Sequence, residues 1–131
     1  MILVDSSVWI EYFTGNKTAK TDWLDSSLGN IPIVIGDVIL AEILQGFQKE
    51  KDFRIAKDLL LRLPVIPMGG QDIAIESAAN YRLLKKKGIT VRKTTDIMIG
   101  TFCIRYNLPL LHDDRDFDPM TEFLGLETVD V

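Results

Sequence analysis

Five short apolar runs, separated by stretches of helical periodicity, constrain this chain more than any other feature. They are residues 1–5, Ile31 to Ile35, Pro64 to Met68, Leu110 to His112 and Leu126 to Val129. The Ile31 to Ile35 run does not alternate with polar residues, as expected of a strand covered on both faces. Between the runs, helices are predicted through about Phe13 with Ser6 or Ser7 as cap, over Thr18 to Leu28, from Gly36-Asp37 to about Gly46, over Lys49 to Arg62, from about Gln71 to Lys87, through about Tyr106 with Thr94 or Thr95 as cap, and over Phe117 to Leu124. In the longest of these, Ile73, Ala74, Ala78, Tyr81 and Leu84 recur at helical spacing. Strands alternating with helices predict an α/β fold with a short-stranded parallel sheet of four to five strands. At 131 residues the chain is expected to form one domain, residues 1–131. A chain of this size buries roughly two-thirds of its unfolded surface and needs no disulfide. Its one cysteine, Cys103, lies between Phe102 and Ile104 and reads as a small core residue in a reduced compartment. No apolar run approaches the ~20 residues of a spanning helix, and no basic-then-apolar leader opens the chain, so a soluble cytoplasmic protein is expected.

Four carboxylates stand where apolar runs give way to polar turns. Asp5 ends the first run. Glu42 lies inside Val38 to Leu44, Asp96 opens Ile97-Met98-Ile99-Gly100, and Asp114 follows Leu110-Leu111-His112-Asp113. An ionised carboxylate beside so much apolar surface is costly unless it is neutralised. Four of them spread along the chain point to one shared positive partner, most simply a divalent cation. Oxygen-only donors suit Mg²⁺ or Mn²⁺ rather than a soft metal. In an open parallel sheet, ligands bind beyond the carboxyl ends of the strands. Asp5 and Asp114 both fall there, and helices departing from that edge can bring Glu42 and Asp96 alongside. Each acid also has a plainer reading: Asp5 as a helix cap, Asp96 as an anion at a helix N-terminus, Asp114 and Asp116 as turn residues, and Glu42 as an exposed helix residue.

Formal net charge is −4, which on its face argues against a nucleic-acid partner. The acids in question account for that balance: with Asp5, Glu42, Asp96, Asp114 and Asp116 set aside, the rest of the chain is no longer acidic. The segment from Arg82 to Lys93 carries Arg82, Lys85, Lys86, Lys87, Arg92 and Lys93 and no acid. It reads either as a solubilising helix end or as a patch for substrate phosphates, in which Lys85, Lys86, Lys87, Arg92 and Lys93 are the candidates.

Four motifs, Val4-Asp5-Ser6-Ser7-Val8-Trp9-Ile10, Ala41-Glu42-Ile43-Leu44-Gln45-Gly46, Thr95-Asp96-Ile97-Met98-Ile99-Gly100 and Leu111-His112-Asp113-Asp114-Arg115-Asp116-Phe117, follow one another over nearly the whole chain. Together they resemble the PIN domain family, in particular the VapC-type toxins of prokaryotic toxin–antitoxin pairs. The resemblance implies a three-layer α/β/α domain, usually dimeric, that cuts RNA. It places the acidic quartet at Asp5, Glu42, Asp96 and Asp114, with Asp116 a further ligand or water-holder and Ser6 at a position commonly Ser or Thr near the metal. Many relatives carry an uncharged or basic residue where this chain has Asp113, so the closing ligand lies among Asp113, Asp114 and Asp116; the Asp-Arg-Asp-Phe register favours Asp114.

On this reading Asp5, Asp96 and Asp114 are direct or water-mediated ligands of Mg²⁺, for which Mn²⁺ can substitute, and Glu42 holds a metal-bound water or acts as its base. A bound Mg²⁺ polarises a phosphate oxygen and lowers the pKa of coordinated water, which is what phosphodiester cleavage requires. The implied function is a metal-dependent endoribonuclease, the toxin of a VapBC-type system. Its partners are an RNA substrate, a cognate VapB-type antitoxin and a second copy of the chain. The alternative is a catalytically inactive PIN-like module that binds RNA or protein. His112 is expected to support the acidic loop rather than serve as a base. Trp9, Tyr12, Phe13 and Trp23 form either core or a partner surface, and Gly46 is expected to cap the Glu42 helix.

Overall fold

The computed structural model describes residues 1–131. Four short strands are present: β1 (Ile2–Val4), β2 (Ile33–Gly36), β3 (Val65–Ile66) and β4 (Leu110–Leu111). They lie in the order β3-β2-β1-β4, every neighbouring pair parallel. The central strands are apolar because both faces are covered: every residue of β2 is buried, and Leu3, Val4, Leu110 and Leu111 are fully so. The β3 edge is different. Val65 is exposed there, and Pro64 and Pro67 flank the strand, a position where a missing N–H costs no ladder bond. The last run expected as a strand, Leu126 to Val129, contributes a single parallel bridge between Leu110 and Thr128. It is tied by the Leu110 amide donating to the Glu127 carbonyl and the Val129 amide donating to Leu110.

Seven helices flank the sheet: α1 (Ser6–Phe13), α2 (Ala19–Ser27), α3 (Asp37–Leu44), α4 (Glu50–Leu60), α5 (Gln71–Lys86), α6 (Thr94–Tyr106) and α7 (Asp118–Leu124). They form two packed groups. In one, α1 packs on α2 and α3, and α3 on α4; in the other, α5 packs on α6 and α7. The architecture is the three-layer α/β/α arrangement. A single cluster of 25 buried apolar residues joins the layers. Trp9 is fully buried within it, stacked on Phe13 at 5.8 Å and meeting the edge of Tyr12 at 5.9 Å, so Trp9 is core while Tyr12, Phe13 and Trp23 pack against it half-buried.

Several helix ends differ from expectation. Neither Ser6 nor Ser7 caps α1; Asp5 does, in extended conformation, its side chain accepting from the Ser7 amide. Neither Thr94 nor Thr95 caps α6, which begins after Lys93 without a side-chain cap. Gly46 lacks the left-handed conformation of a glycine cap, and α3 ends at Gln45 in ordinary helical geometry. Asn107 instead takes the left-handed turn, at the end of α6. Ala74 and Ala78, counted on the apolar face of α5, are exposed.

Two glycines admit a methionine where a larger residue cannot sit. A Cβ on Gly36, at the end of β2, would collide with the side chain of Met68, and one on Gly100, within α6, with that of Met120. Both methionines are fully buried, so neither can swing clear at low cost. Gly100→Ala is expected to lower stability by about 1–3 kcal/mol. In a Met120→Ala background, where the pocket is already vacated, the same change should cost little. Denaturant melts of the four variants in this cycle check it; equal costs in both backgrounds would refute the clash.

Candidate metal centre

Asp5 is brought to the sheet edge by β1, the central strand, and held there by its amide donating to the Leu111 carbonyl of β4 at 2.9 Å. With β2 on one side of β1 and β4 on the other, the chain's path reverses beside β1. That is the switch point at which open parallel sheets form a crevice. Glu42 descends into it from α3 and Asp96 from the first turn of α6, while Asp114 lies in the loop after β4. Carboxylate oxygens of Asp96, Asp114 and Asp116 lie within 4.8 Å of one another. Asp5 and Glu42 join them electrostatically: Asp5 raises the proton affinity of both Glu42 and Asp96. Acids from four separate stretches of chain are therefore coupled, three of them, Asp96, Asp114 and Asp116, within reach of one ion.

The pocket is costly as it stands. Asp5 and Asp96 are only 3 % and 4 % exposed, so their charges are deprived of water. Burial, then the neighbouring charges of Asp5 and Asp114, push Asp96 up to about 7, against the pull of Lys93. Glu42 is raised by burial and by Asp5, opposed by Lys93 and the Ser6 hydroxyl. Asp5 is raised by burial alone; hydrogen bonds from Ser7 and Ser6 work against the shift. Four carboxylate oxygens are buried without a hydrogen-bond partner: Asp5 Oδ1, Glu42 Oε1 and Asp96 Oδ2 among these acids, and Glu11 Oε2 beside Asp113. Unpaired buried acceptors are uncommon in folded proteins and demand a partner. A divalent cation with oxygen ligands meets that demand, and the grouped donors, all carboxylates, fit one.

The loop after β4 sorts its three acids. Asp114 accepts from the Asp116 amide at 2.9 Å and caps the short 3₁₀ turn Arg115–Phe117. Asp116 faces the cluster and is met on its outer side by Arg92 at 3.3 Å. Asp113 turns away: its carboxylate pairs with Lys20 of α2 at 3.2 Å and lies against Glu11, whose own carboxyl is raised by burial and by that contact. The choice left open in the sequence thus narrows to Asp114 and Asp116. His112 supports the loop, its Nδ1 accepting from the Asp114 amide at 3.2 Å and its ring resting 4.9 Å from Phe117. Burial, with Lys20 nearby, holds its pKa below the ordinary value.

The basic segment divides. Arg92 and Lys93 stand at the acids, whereas Lys85, Lys86 and Lys87 end α5 and are not among the charges that perturb them. Lys87 instead lies over the Phe123 ring at 4.9 Å. Ser6, singled out from the sequence, lies beside Glu42, but the residue that grips Asp5 is Ser7, offered there only as a helix cap. Its hydroxyl donates to Asp5 Oδ2 at 2.7 Å. Lys20 and Glu11 also went unmarked. The Asp5–Ser7 turn, an aspartate two residues before a serine at a helix start, was the local signal available. Nothing local in the sequence signals Lys20, whose partner lies 93 residues away.

Comparison with known proteins identifies the family. A model of the PIN domain family matches residues 2–122. A VapC ribonuclease of Mycobacterium bovis and ribonuclease VapC11 of Mycobacterium tuberculosis are each 32 % identical over 132 aligned positions, covering 97 % of this chain and 96 % of theirs. Among solved structures, the fold resembles VapBC2 of Rickettsia felis bound to a promoter DNA fragment, with TM-score 0.76 at 19 % identity, covering 100 % of this chain and 99 % of that one. It also resembles VapBC-1 of nontypeable Haemophilus influenzae, with TM-score 0.75 at 21 % identity, covering 99 % and 98 %. With the family's fold and the family's sequence pattern coinciding over nearly its whole length, this chain belongs to the PIN domain family.

Proposed function

We propose that this protein is a metal-dependent endoribonuclease, the toxin of a VapBC-type toxin–antitoxin pair. The observation that carries the reading is the trio of buried, unpartnered oxygens, Asp5 Oδ1, Glu42 Oε1 and Asp96 Oδ2, beside the Asp96, Asp114 and Asp116 cluster. An inactive binding module has no use for such a pocket, which costs stability and offers nothing but a place for a cation. Family membership and the likeness to proteins named VapC ribonucleases supply the reaction class.

Asp5, Asp96 and Asp114 hold the ion in this reading, with Asp116 as a further ligand and Glu42 reaching it through a water. Mg²⁺ is the favoured ion and Mn²⁺ a substitute. Bound there, it would polarise a phosphate oxygen and acidify a coordinated water. The chain's own groups do the rest. Glu42, with one oxygen unpartnered and its proton affinity raised by burial and by Asp5, is suited to act as a proton acceptor. Lys93 and Arg92, at the rim, are the cations placed for the phosphates flanking the cut. Lys85, Lys86 and Lys87, at the end of α5 and apart from that pair, are candidates for more distant phosphates. The partners implied are RNA, a VapB-type antitoxin and a second copy of the chain. The setting implied is the cytoplasm, and no helix is long and apolar enough to cross a membrane.

Asp5→Asn and Asp96→Asn are each expected to fold and to lose RNA cleavage by a hundredfold or more, on the order of the loss of one electrostatic stabiliser. Metal-dependent cleavage by the purified double variant would refute the assignment. The same acids set a pH dependence. Asp96 titrates near 7 in the folded protein against 3.8 ordinarily, so the native state binds its proton more tightly than the unfolded chain. Stability of the metal-free protein should therefore be highest at the acid end of that window and fall as pH rises from about 4 through about 7. Thermal melts in chelator should give a higher Tm at pH 5.5 than at pH 8. Asp96→Asn should flatten the difference by raising the value at pH 8. A Tm that rises with pH over this range would contradict it.

A further inference from the structure

Ser7 occupies a junction that the reaction chemistry alone does not require. Its backbone amide and its hydroxyl both donate to the same oxygen of Asp5, Oδ2, at 3.1 and 2.7 Å. Its hydroxyl oxygen also accepts from the Asp113 amide at 3.0 Å, across 106 residues of sequence. One hydroxyl thus joins the end of β1 to the loop that carries Asp114 and Asp116. On the far side of that loop, Lys20 of α2 takes the Asp113 carboxylate at 3.2 Å, holding Asp113 so that its amide faces Ser7 and its charge faces away from the pocket. The other oxygen of Asp5, Oδ1, is left buried and without any partner.

We propose that Ser7 is a positioning residue that makes Asp5 a one-oxygen ligand and seats the 112–116 loop against it. Two donors on Oδ2 fix the carboxylate's rotation about its Cβ–Cγ bond. With Oδ2 saturated, Asp5 offers the cation Oδ1 alone. The bond from Asp113 then fixes the distance between that oxygen and the acids of the loop. A ligand oriented by hydrogen bonds binds more tightly than one that must be ordered on binding, by about 10–100-fold in metal affinity. Without the hydroxyl, Asp5 retains the backbone donor but is free to turn, and the loop loses its tie to β1. This inference rests on the metal-dependent reading above but names a residue outside the acidic set, and its test does not depend on cleavage.

The test is Mn²⁺ titration of the purified protein by calorimetry, with amide NMR of Asp113 alongside. Wild type should bind Mn²⁺. Ser7→Ala should bind at least tenfold more weakly and show a shifted, faster-exchanging Asp113 amide, and Ser7→Thr, which keeps the hydroxyl, should restore affinity to within about threefold of wild type. In steady-state cleavage at fixed Mn²⁺ below saturation, Ser7→Ala should lower kcat and leave KM for RNA unchanged. A purely structural residue would lower Tm without a selective change in metal affinity. Should Ser7→Ala not fold, Ser7→Cys, similar in size and a weak donor, carries the same expected weakening. Wild-type affinity in whichever of the two folds overturns the role of Ser7 and leaves the nuclease reading intact. Absence of Mn²⁺ binding by wild type sinks both, whereas Mn²⁺ binding with the stated Ser7 pattern but no RNA cleavage sinks only the nuclease reading.

Discussion

The parallel pairing of β1 with β4 is the constraint on which the rest of this molecule depends. A single amide–carbonyl bond, Asp5 to Leu111, marks where the two strands end together. It places the first acid of the chain beside a loop more than a hundred residues later. Because β1 is central, the departures of α1 and of the β4 loop open on the same crevice. The helix after β2 and the start of α6 close it from the two helical layers. Acids from distant stretches thereby come together, two of them, Asp5 and Asp96, buried from water and Glu42 and Asp114 partly so. The fold concentrates negative charge at the cost of its own stability, and the sign of that cost is written in the raised proton affinities of Asp5, Glu42 and Asp96. Buried like charges are retained where something else neutralises them.

Much of this was legible in the sequence, for definable reasons. The central strands had to be apolar on both faces, so Ile31 to Ile35 declared itself without alternation, and Asp5 and Asp114, just after the first and fourth runs, marked the carboxyl edge of the sheet. Helix periodicity located all seven helices to within a few residues. At α1 the sequence offered Asp5, Ser6 and Ser7 as caps and did not choose among them, because a cap is chosen by how the chain leaves the preceding strand. Asp5 exits β1 in extended conformation and so takes the position that Ser6 or Ser7 also suited. The last strand shrank to one bridge because only Thr128 comes into register with β4.

The site was legible in its acids and not in what holds them. Asp113, Asp114 and Asp116 are alike as residues; only the contact with Lys20 turns Asp113 outward, and that contact is a tertiary fact. Ser6 and Ser7 are likewise indistinguishable by type. One faces Glu42, and the other joins Asp5 to the closing loop. The basic segment looked uniform in sequence. In space, the turn after α5 separates the lysines at the helix end from Arg92 and Lys93, and only the latter pair feels the acids. Gly36 and Gly100 carry no sequence mark beyond being glycines, yet each is the recess that admits a buried methionine.

The central claim is that these carboxylates remain together because a shared cation replaces the protons they would otherwise hold. The direct measurement is proton release on Mn²⁺ binding, read by calorimetry of the wild-type protein near pH 6.5 in buffers of different ionisation enthalpy. With Asp96 titrating near 7, binding is expected to release on the order of one proton per site, falling toward none as pH is raised to 8.5. Binding that releases no protons at pH 6.5, or no binding at all, would contradict the account.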